Sequence, residues 1–155
     1  MKKLLIVYHT GGVKTARMAE AVERGARMES ENAAGVEVIV KRCADAGPEY
    51  LLAADGLILG TPENFGYMSG MMKDFLERVF YSCEGKVNGR PWALFVGAGQ
   101  DGSGAVTSVE RIVLGLRLNK VHEPIVVVKE LQANHLAQCE ELGAAFAAGL
   151  AMGVF

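Results

Sequence analysis

The chain has 155 residues, half of them hydrophobic and 22% charged, which argues for one globular domain over 1–155 with a single substantial core and against disorder. Lys and Arg number 16 against 18 Asp and Glu, a net charge of -2 that argues against a general nucleic-acid binder, which needs a basic face. The three cysteines, Cys43, Cys83 and Cys139, are widely spaced with no CxxC, so neither a disulfide framework nor structural zinc is expected, and the simpler setting is a reducing cytoplasm.

In chain order, Lys3 to Tyr8 is a short, wholly apolar run, the mark of a strand buried on both faces. It is too short for a secretory or membrane-inserting segment. From Thr15 to Met28, apolar residues at Met18, Ala19, Val22 and Ala26 predict an amphipathic helix. Val36 to Val40 is a second strand, ending on Lys41-Arg42, which reads as a solvated strand end. Ala46-Gly47-Pro48 opens a short helix. Gly56 to Leu59 is a third strand, followed by the loop GTPENFGYMSG (Gly60 to Gly70) and a helix to about Cys83. Pro91 to Val96 is a fourth strand, followed by GAGQDGSG (Gly97 to Gly104) and a helix marked by Val106, Val109, Ile112, Val113 and Leu116. Ile125 to Val128 is a fifth strand, and His135 to Met152 a closing helix.

Alternating strands and helices, with the strands apolar throughout, predict a doubly wound five-stranded parallel sheet with helices on both faces. At this length the order 2-1-3-4-5 is expected, and ligands then bind beyond the carboxyl ends of the central strands. The loops after strands 1, 3 and 4 are the ones rich in glycine and hydroxyls. The loops after strands 2 and 5 are ordinary and charged. Three special loops on three adjacent strands point to one shared site.

Each loop has its own chemistry. HTGGVKT (His9 to Thr15) opens a helix whose N-terminus offers unpaired N–H groups and a positive dipole end, which suits a terminal phosphate. Gly11 and Gly12 let the backbone curl, Thr10 and Thr15 offer hydroxyls, and Lys14 a charge. A plain helix cap needs neither the glycine pair nor the lysine. The spacing is not that of a nucleoside-triphosphate P-loop. The loop after strand 3 carries Phe65 and Tyr67 with little local sequence to bury them, which suits a flat ligand. Gly97 to Gly102 matches GxGxxG but follows the fourth strand, so it is read as a loop that lets main chain approach a ring edge, or as a flexible turn with Asp101 at the start of the next helix. His9, His122 and His135 share no ligand spacing, and no metal site is expected.

The segment GTPENFGYMSGMMKDFLERV resembles the second flavin-binding loop and following helix of the flavodoxin-like NAD(P)H:quinone oxidoreductases, the tryptophan-repressor-binding-protein family. Their pattern there reads like GTPxRFGNM. The resemblance implies a flavodoxin-like fold. It implies an FMN phosphate held by His9, Thr10, Gly12, Val13, Lys14 and Thr15. It further implies an isoalloxazine ring lined by Pro62, Glu63, Asn64, Phe65, Gly66 and Tyr67 and closed at its other edge by Gly97, Gly99, Gln100 and Gly102. Asn64 stands where the family places a basic residue, His9 and Lys14 where it places hydroxyl and neutral ones, and the chain is shorter than typical members.

The implied function is an FMN-binding oxidoreductase, with NADH or NADPH as transient electron donor and quinones or similar small acceptors. Flavin chemistry belongs to the cofactor, so no catalytic acid or base is nominated. The alternatives are a one-electron carrier serving a protein partner and a non-catalytic regulatory module. A carrier sandwiches its ring between aromatics of the second and third loops, and here the third has none. A receiver module needs a phosphorylatable Asp where this chain has Tyr8, His9 and Thr10. The expected partners are small molecules, without nucleic acid or membrane insertion. A homodimer or other homo-oligomer stays open.

Overall fold

A computed structural model describes residues 1–32 and 35–155. Five long elements build one face of a parallel sheet and its covering: β1 (Lys2–Tyr8), α1 (Lys14–Asn32), β2 (Val36–Arg42), β3 (Gly56–Asn64) and β5 (Pro91–Ala98). A single 3-10 turn at Cys43–Asp45 and α2 (Pro48–Ala53) follow β2. Between β3 and β5 lie a two-residue strand, β4 (Tyr67–Met68), and α3 (Gly70–Cys83). The chain closes with α4 (Ser103–Leu116), β6 (Asn119–Lys120), β7 (Ile125–Val128) and α5 (Ala133–Met152).

The sheet runs β2-β1-β3-β5, and both β6 and β7 pair with β5 on its far side. This is the expected 2-1-3-4-5 order, but with seven strands rather than five. The expected fifth strand, Ile125 to Val128, is β7 and pairs with Phe95 to Ala98 at the end of β5, while β6 is an extra fragment beside Pro91 and Trp92 at its start. The seventh strand is β4, which runs antiparallel to the end of β3. Among the described residues no helix is long and apolar enough to cross a membrane.

The strands are apolar throughout because consecutive side chains enter opposite layers. Leu4 and Ile6 of β1, Ile58 of β3 and Phe95 of β5 pack with α1 and α5. Leu5, Val7, Leu57, Leu59, Leu94 and Val96 pack with α2, α3 and α4. Burying each such side chain contributes about 1.5–3 kcal/mol. On the first face, α1 and α5 cross at backbone contact. A Cβ on Gly25 would run into the Glu140 carbonyl, and one on Gly143 into that of Val22. This close crossing fixes α1, and with it the loop at its N-terminus.

Two arginines tie down the opposite face by satisfying carbonyls at element ends. Arg90 donates from one nitrogen to the carbonyls of Leu51, Leu52 and Ala54 at the end of α2, at 2.7–3.0 Å. Arg78 donates to the carbonyls of Cys43 and Ala46, both at 2.7 Å. Cys43, Cys83 and Cys139 are buried free thiols. Burial pushes Cys43 up to about 12 and Cys139 up to about 11.

Candidate functional site

Strand register brings the three special loops to one rim. Tyr8, the last residue of β1, pairs with Gly60 of β3, and Pro62 of β3 pairs with Gly97 of β5. The His9 N–H continues the ladder to the Gly60 carbonyl at 3.0 Å. The first and second loops therefore leave the sheet side by side, and the third begins opposite Pro62.

The segment expected as a plain strand-to-helix loop is a β-hairpin. β3 runs on to Asn64, past the point where β1 has ended, and Glu63 and Asn64 pair back with Met68 and Tyr67. Phe65 and Gly66 form the tip with φ of 53° and 70°. Positive φ at both central positions is what a two-residue type I′ hairpin turn demands. Gly66 adopts it without cost, but a bulky Phe does so against an opposing strain of about 1 kcal/mol or more. The Phe65 ring gains nothing from the fold in return: its relative exposure is 105%. Gly66 at the second central position is the one residue of the pair that the turn favours.

Buried hydroxyls hold the hairpin's base. Thr61 is wholly buried, and its Oγ1 accepts the Ser69 N–H at 3.0 Å. Ser69 caps α3 by accepting the Met72 N–H at 3.2 Å, and Ser108 of α4 accepts the Met68 N–H at 3.0 Å.

Glu63 does not present its carboxylate to the rim. Oε1 accepts the Gly102 N–H at 3.0 Å and Oε2 the Ala105 N–H at 3.3 Å. The N-cap of α4 is Gly102, in the left-handed region with φ of 82° and no side chain of its own to cap with. A carboxylate at a helix N-terminus is favoured by the dipole as well as by the two bonds. Glu63 thus pins the third loop to the hairpin. The contact is reinforced where Gly104 lies flat against the Gly66 carbonyl, with no room for a Cβ.

The first loop is joined to the third by Lys14. Its Nζ donates to the Ala98 carbonyl at 2.6 Å, so the ammonium braces two loops. A Cβ on Gly97 would lie 2.6 Å from Thr15 Oγ1, so glycine is needed there for the close approach. Thr15 is buried, and the Thr10 hydroxyl is spent within the loop, donating to the Gly12 carbonyl at 2.6 Å. Gly12 and Val13 are exposed. The N–H groups of Lys14, Thr15 and Ala16 at the start of α1 have no acceptor among the described residues, whereas that of Arg17 reaches the Val13 carbonyl. These N–H groups can hold an anion. Burial first, and then the Arg42 charge, lower the His9 pKa from its ordinary value, so an anion there is met by main chain and not by an imidazolium.

Arg42 is exposed, as expected of a strand end, and its side chain also reaches over this loop. Its guanidinium lies 5.2 Å from the centre of the Tyr8 ring and donates to the Thr10 carbonyl at 3.4 Å. Gly99 and Gln100 form the exposed tip of the third loop, and nothing would obstruct a Cβ at Gly99. Tyr67, 43% exposed, borders a recess behind the hairpin with Lys73, Thr107 and Arg111. Phe65, Gly99 and Gln100 stand exposed along the rim, which forms a shelf that suits a ring laid flat on it.

A doubly wound sheet with a glycine-rich helix start and two further loops on its central carboxyl ends defines a flavodoxin-type domain. Solved structures agree on the fold. A flavodoxin from the domain Archaea superposes with a TM-score of 0.82 at 21% identity, covering 96% of this chain and 98% of that one. A flavodoxin, WrbA-like protein from Agrobacterium tumefaciens superposes with a TM-score of 0.75 at 23% identity, covering 99% of each.

The chain belongs to the NADPH-dependent FMN reductase family, whose pattern matches residues 29–132. That span takes in the second and third loops and leaves out residues 9–15. A flavodoxin from Aquifex aeolicus is 38% identical over 104 residues, 67% of this chain and 54% of that protein. An NAD(P)H dehydrogenase (quinone) from Acidithiobacillus ferrooxidans is 32% identical over 130 residues, 70% of this chain and 63% of that protein. The chain thus spans little more than half the length of these two relatives.

Proposed function

We propose that this protein binds FMN on the three-loop rim and uses it to pass electrons from NADH or NADPH to quinones or similar small acceptors. The observation that carries the reading is the lopsided supply of aromatic rings. Phe65 stands fully exposed on the hairpin, while Gly97 to Gly104 contain no aromatic residue. A planar ring resting on this shelf keeps one face open for a nicotinamide or a quinone to stack.

The residues present fit the group. The N–H groups at the start of α1, with Gly11 and Gly12, would hold the phosphate. Pro62 to Tyr67 would flank the ring, and the main chain of Gly97, Gly99, Gln100 and Gly102 would meet its edge. Lys14 and Glu63 act one step back, locking the first loop to the third and the third to the second. FMN when bound supplies the hydride and electron chemistry; the protein supplies position and a fixed hydrogen-bonding frame. No side chain is required as acid or base. Three buried thiols fit a reducing compartment such as the cytoplasm.

The experiment is anaerobic absorbance of the FMN-loaded chain. NADH or NADPH is expected to bleach the flavin within seconds to minutes, and a quinone to restore it. The flavodoxin relative favours a second reading, a one-electron carrier. Flavin that ignores both nicotinamides and is reduced only by a protein donor would establish that carrier. Absence of any yellow complex at workable FMN concentrations would end both readings.

A further inference from the structure

Behind the hairpin, on the side away from α1, two recesses run end to end along α4. The first has a volume of about 580 Å³ and is bordered by Tyr67, Lys73, Ser103, Thr107 and Arg111. The second, about 530 Å³, lies between α3 and α4 beside Phe80, Tyr81 and Gly115. Both are of the size of small-molecule sites. They share Arg111 and Ile112, so they form one groove, polar and cationic at the hairpin and aromatic at the far end. From Gly104 to Gly115 it follows the helix for about 16 Å.

The charges along it are unequal. Lys73, in the first recess, is paired with Glu77 of the second, one turn on. Arg111 has no carboxylate partner among the described residues. Tyr67 and Thr107 bring hydroxyls to the same recess, whereas the Ser103 hydroxyl is spent on Asp101. An unpaired guanidinium with nearby hydroxyls is the usual equipment for a phosphate ester. At the other end the Phe80 ring packs on Gly115, where a Cβ would meet it at 2.8 Å. Tyr81 stands edge-on to Phe80, with centroids 5.3 Å apart, and is 85% exposed. An exposed aromatic beside an apolar floor suits a flat heterocycle.

We propose that this groove holds the adenylate half of the nicotinamide dinucleotide, with its phosphates at Arg111 and its adenine laid against the exposed Tyr81 ring. The order of chemistry along the groove is the order of groups along the ligand: the hairpin lies at the nicotinamide end, cation and hydroxyls follow, and aromatics come last. The assignment rests on the reading that the flavin takes its electrons from a nicotinamide nucleotide. It makes Arg111, which stands on α4 outside the three loops, a specificity residue for the donor.

The test has two arms. In steady-state reduction of a quinone by the FMN-loaded chain, Arg111→Ala is expected to raise KM for the nicotinamide donor by about tenfold or more. Maximal kcat and FMN affinity should stay unchanged, and the distant Lys86→Ala variant should leave KM unmoved. A KM within twofold of the parent overturns the proposal. In the second arm, ADP-ribose is added to the ¹⁵N-labelled full chain, with and without FMN. Amide shifts at Thr107, Arg111 and Gly115 support it, and shifts confined to residues 9–15 overturn it. ADP-ribose shifts in a protein that never binds FMN would support the groove's ligand while removing the function proposed above. A dimer in sedimentation whose α3–α4 face excludes ADP-ribose would overturn it in favour of a second copy.

Discussion

Replacing Glu63 with Ala removes one carboxylate and, with it, both bonds that cap α4 and join the hairpin to the third loop. Losing a helix cap typically costs about 1 kcal/mol. Hydrogen bonds to a charged group contribute about 1.5–3 kcal/mol each, but this side chain is half-buried and water replaces part of the loss, so about 2 kcal/mol in total is expected. For a chain of this length that lowers Tm by about 4–8 °C. Glu63→Gln keeps one acceptor oxygen and loses the charge at the helix N-terminus, so about half the loss is expected. The third loop is held to the hairpin by these bonds, and FMN must order it when they are gone. Its Kd should therefore rise about three- to tenfold in the Ala variant and less in Gln. Thermal unfolding and flavin-fluorescence quenching measure the two effects. Unchanged Tm would refute the cap, and a lowered Tm with unchanged FMN affinity would refute the coupling between loops.

Gly25→Ala forces a methyl group into the Glu140 carbonyl across the α1–α5 crossing and should destabilise by roughly 3 kcal/mol, read from urea unfolding; a loss below about 1 kcal/mol would contradict the backbone contact. Phe65→Gly relieves the positive φ and should leave the FMN-free protein as stable or up to about 1 kcal/mol more stable, while weakening FMN binding at least tenfold. A destabilised, normally binding variant would mean the ring belongs to the fold. The buried thiols carry a pH signature. Cys43 keeps its proton to about 12 in the native state against an ordinary value of 9.0, so unfolding above pH 9 releases protons. Stability should fall as pH rises from about 9 toward 12, and Cys43→Ala should flatten that slope in urea midpoints. An unchanged slope would show that the thiol plays no part.

The sheet order and the common rim were legible because they depend on local signals: wholly apolar strands, and glycine-rich loops after three of them. What stayed hidden depends on distant pairs. Nothing near Glu63 marks it as the partner of Gly102, 39 residues on, because that bond exists only once Pro62 and Gly97 are in register. Lys14 looked like a phosphate ligand for its position in the loop, yet its reach across to Ala98 is set by the sheet, not the motif. Arg42 is exposed, as a strand end should be, but that it also lies over Tyr8 depends on β2 pairing beside β1. The hairpin is not legible locally, because Phe65 occupies a turn position where Asn or Gly is usual.

The divided outer strand has a consequence for how this protein meets others. A continuous rim of unpaired N–H and C=O groups would invite any extended chain to lie alongside and propagate the sheet. Here the margin is two fragments of two and four residues, broken by Val121 to Pro124, with a proline donating no N–H at the join. A stray strand finds no template long enough to grip, so this border guards against aggregation, and the short break is where extra polypeptide could be inserted while both fragments kept their pairing to β5.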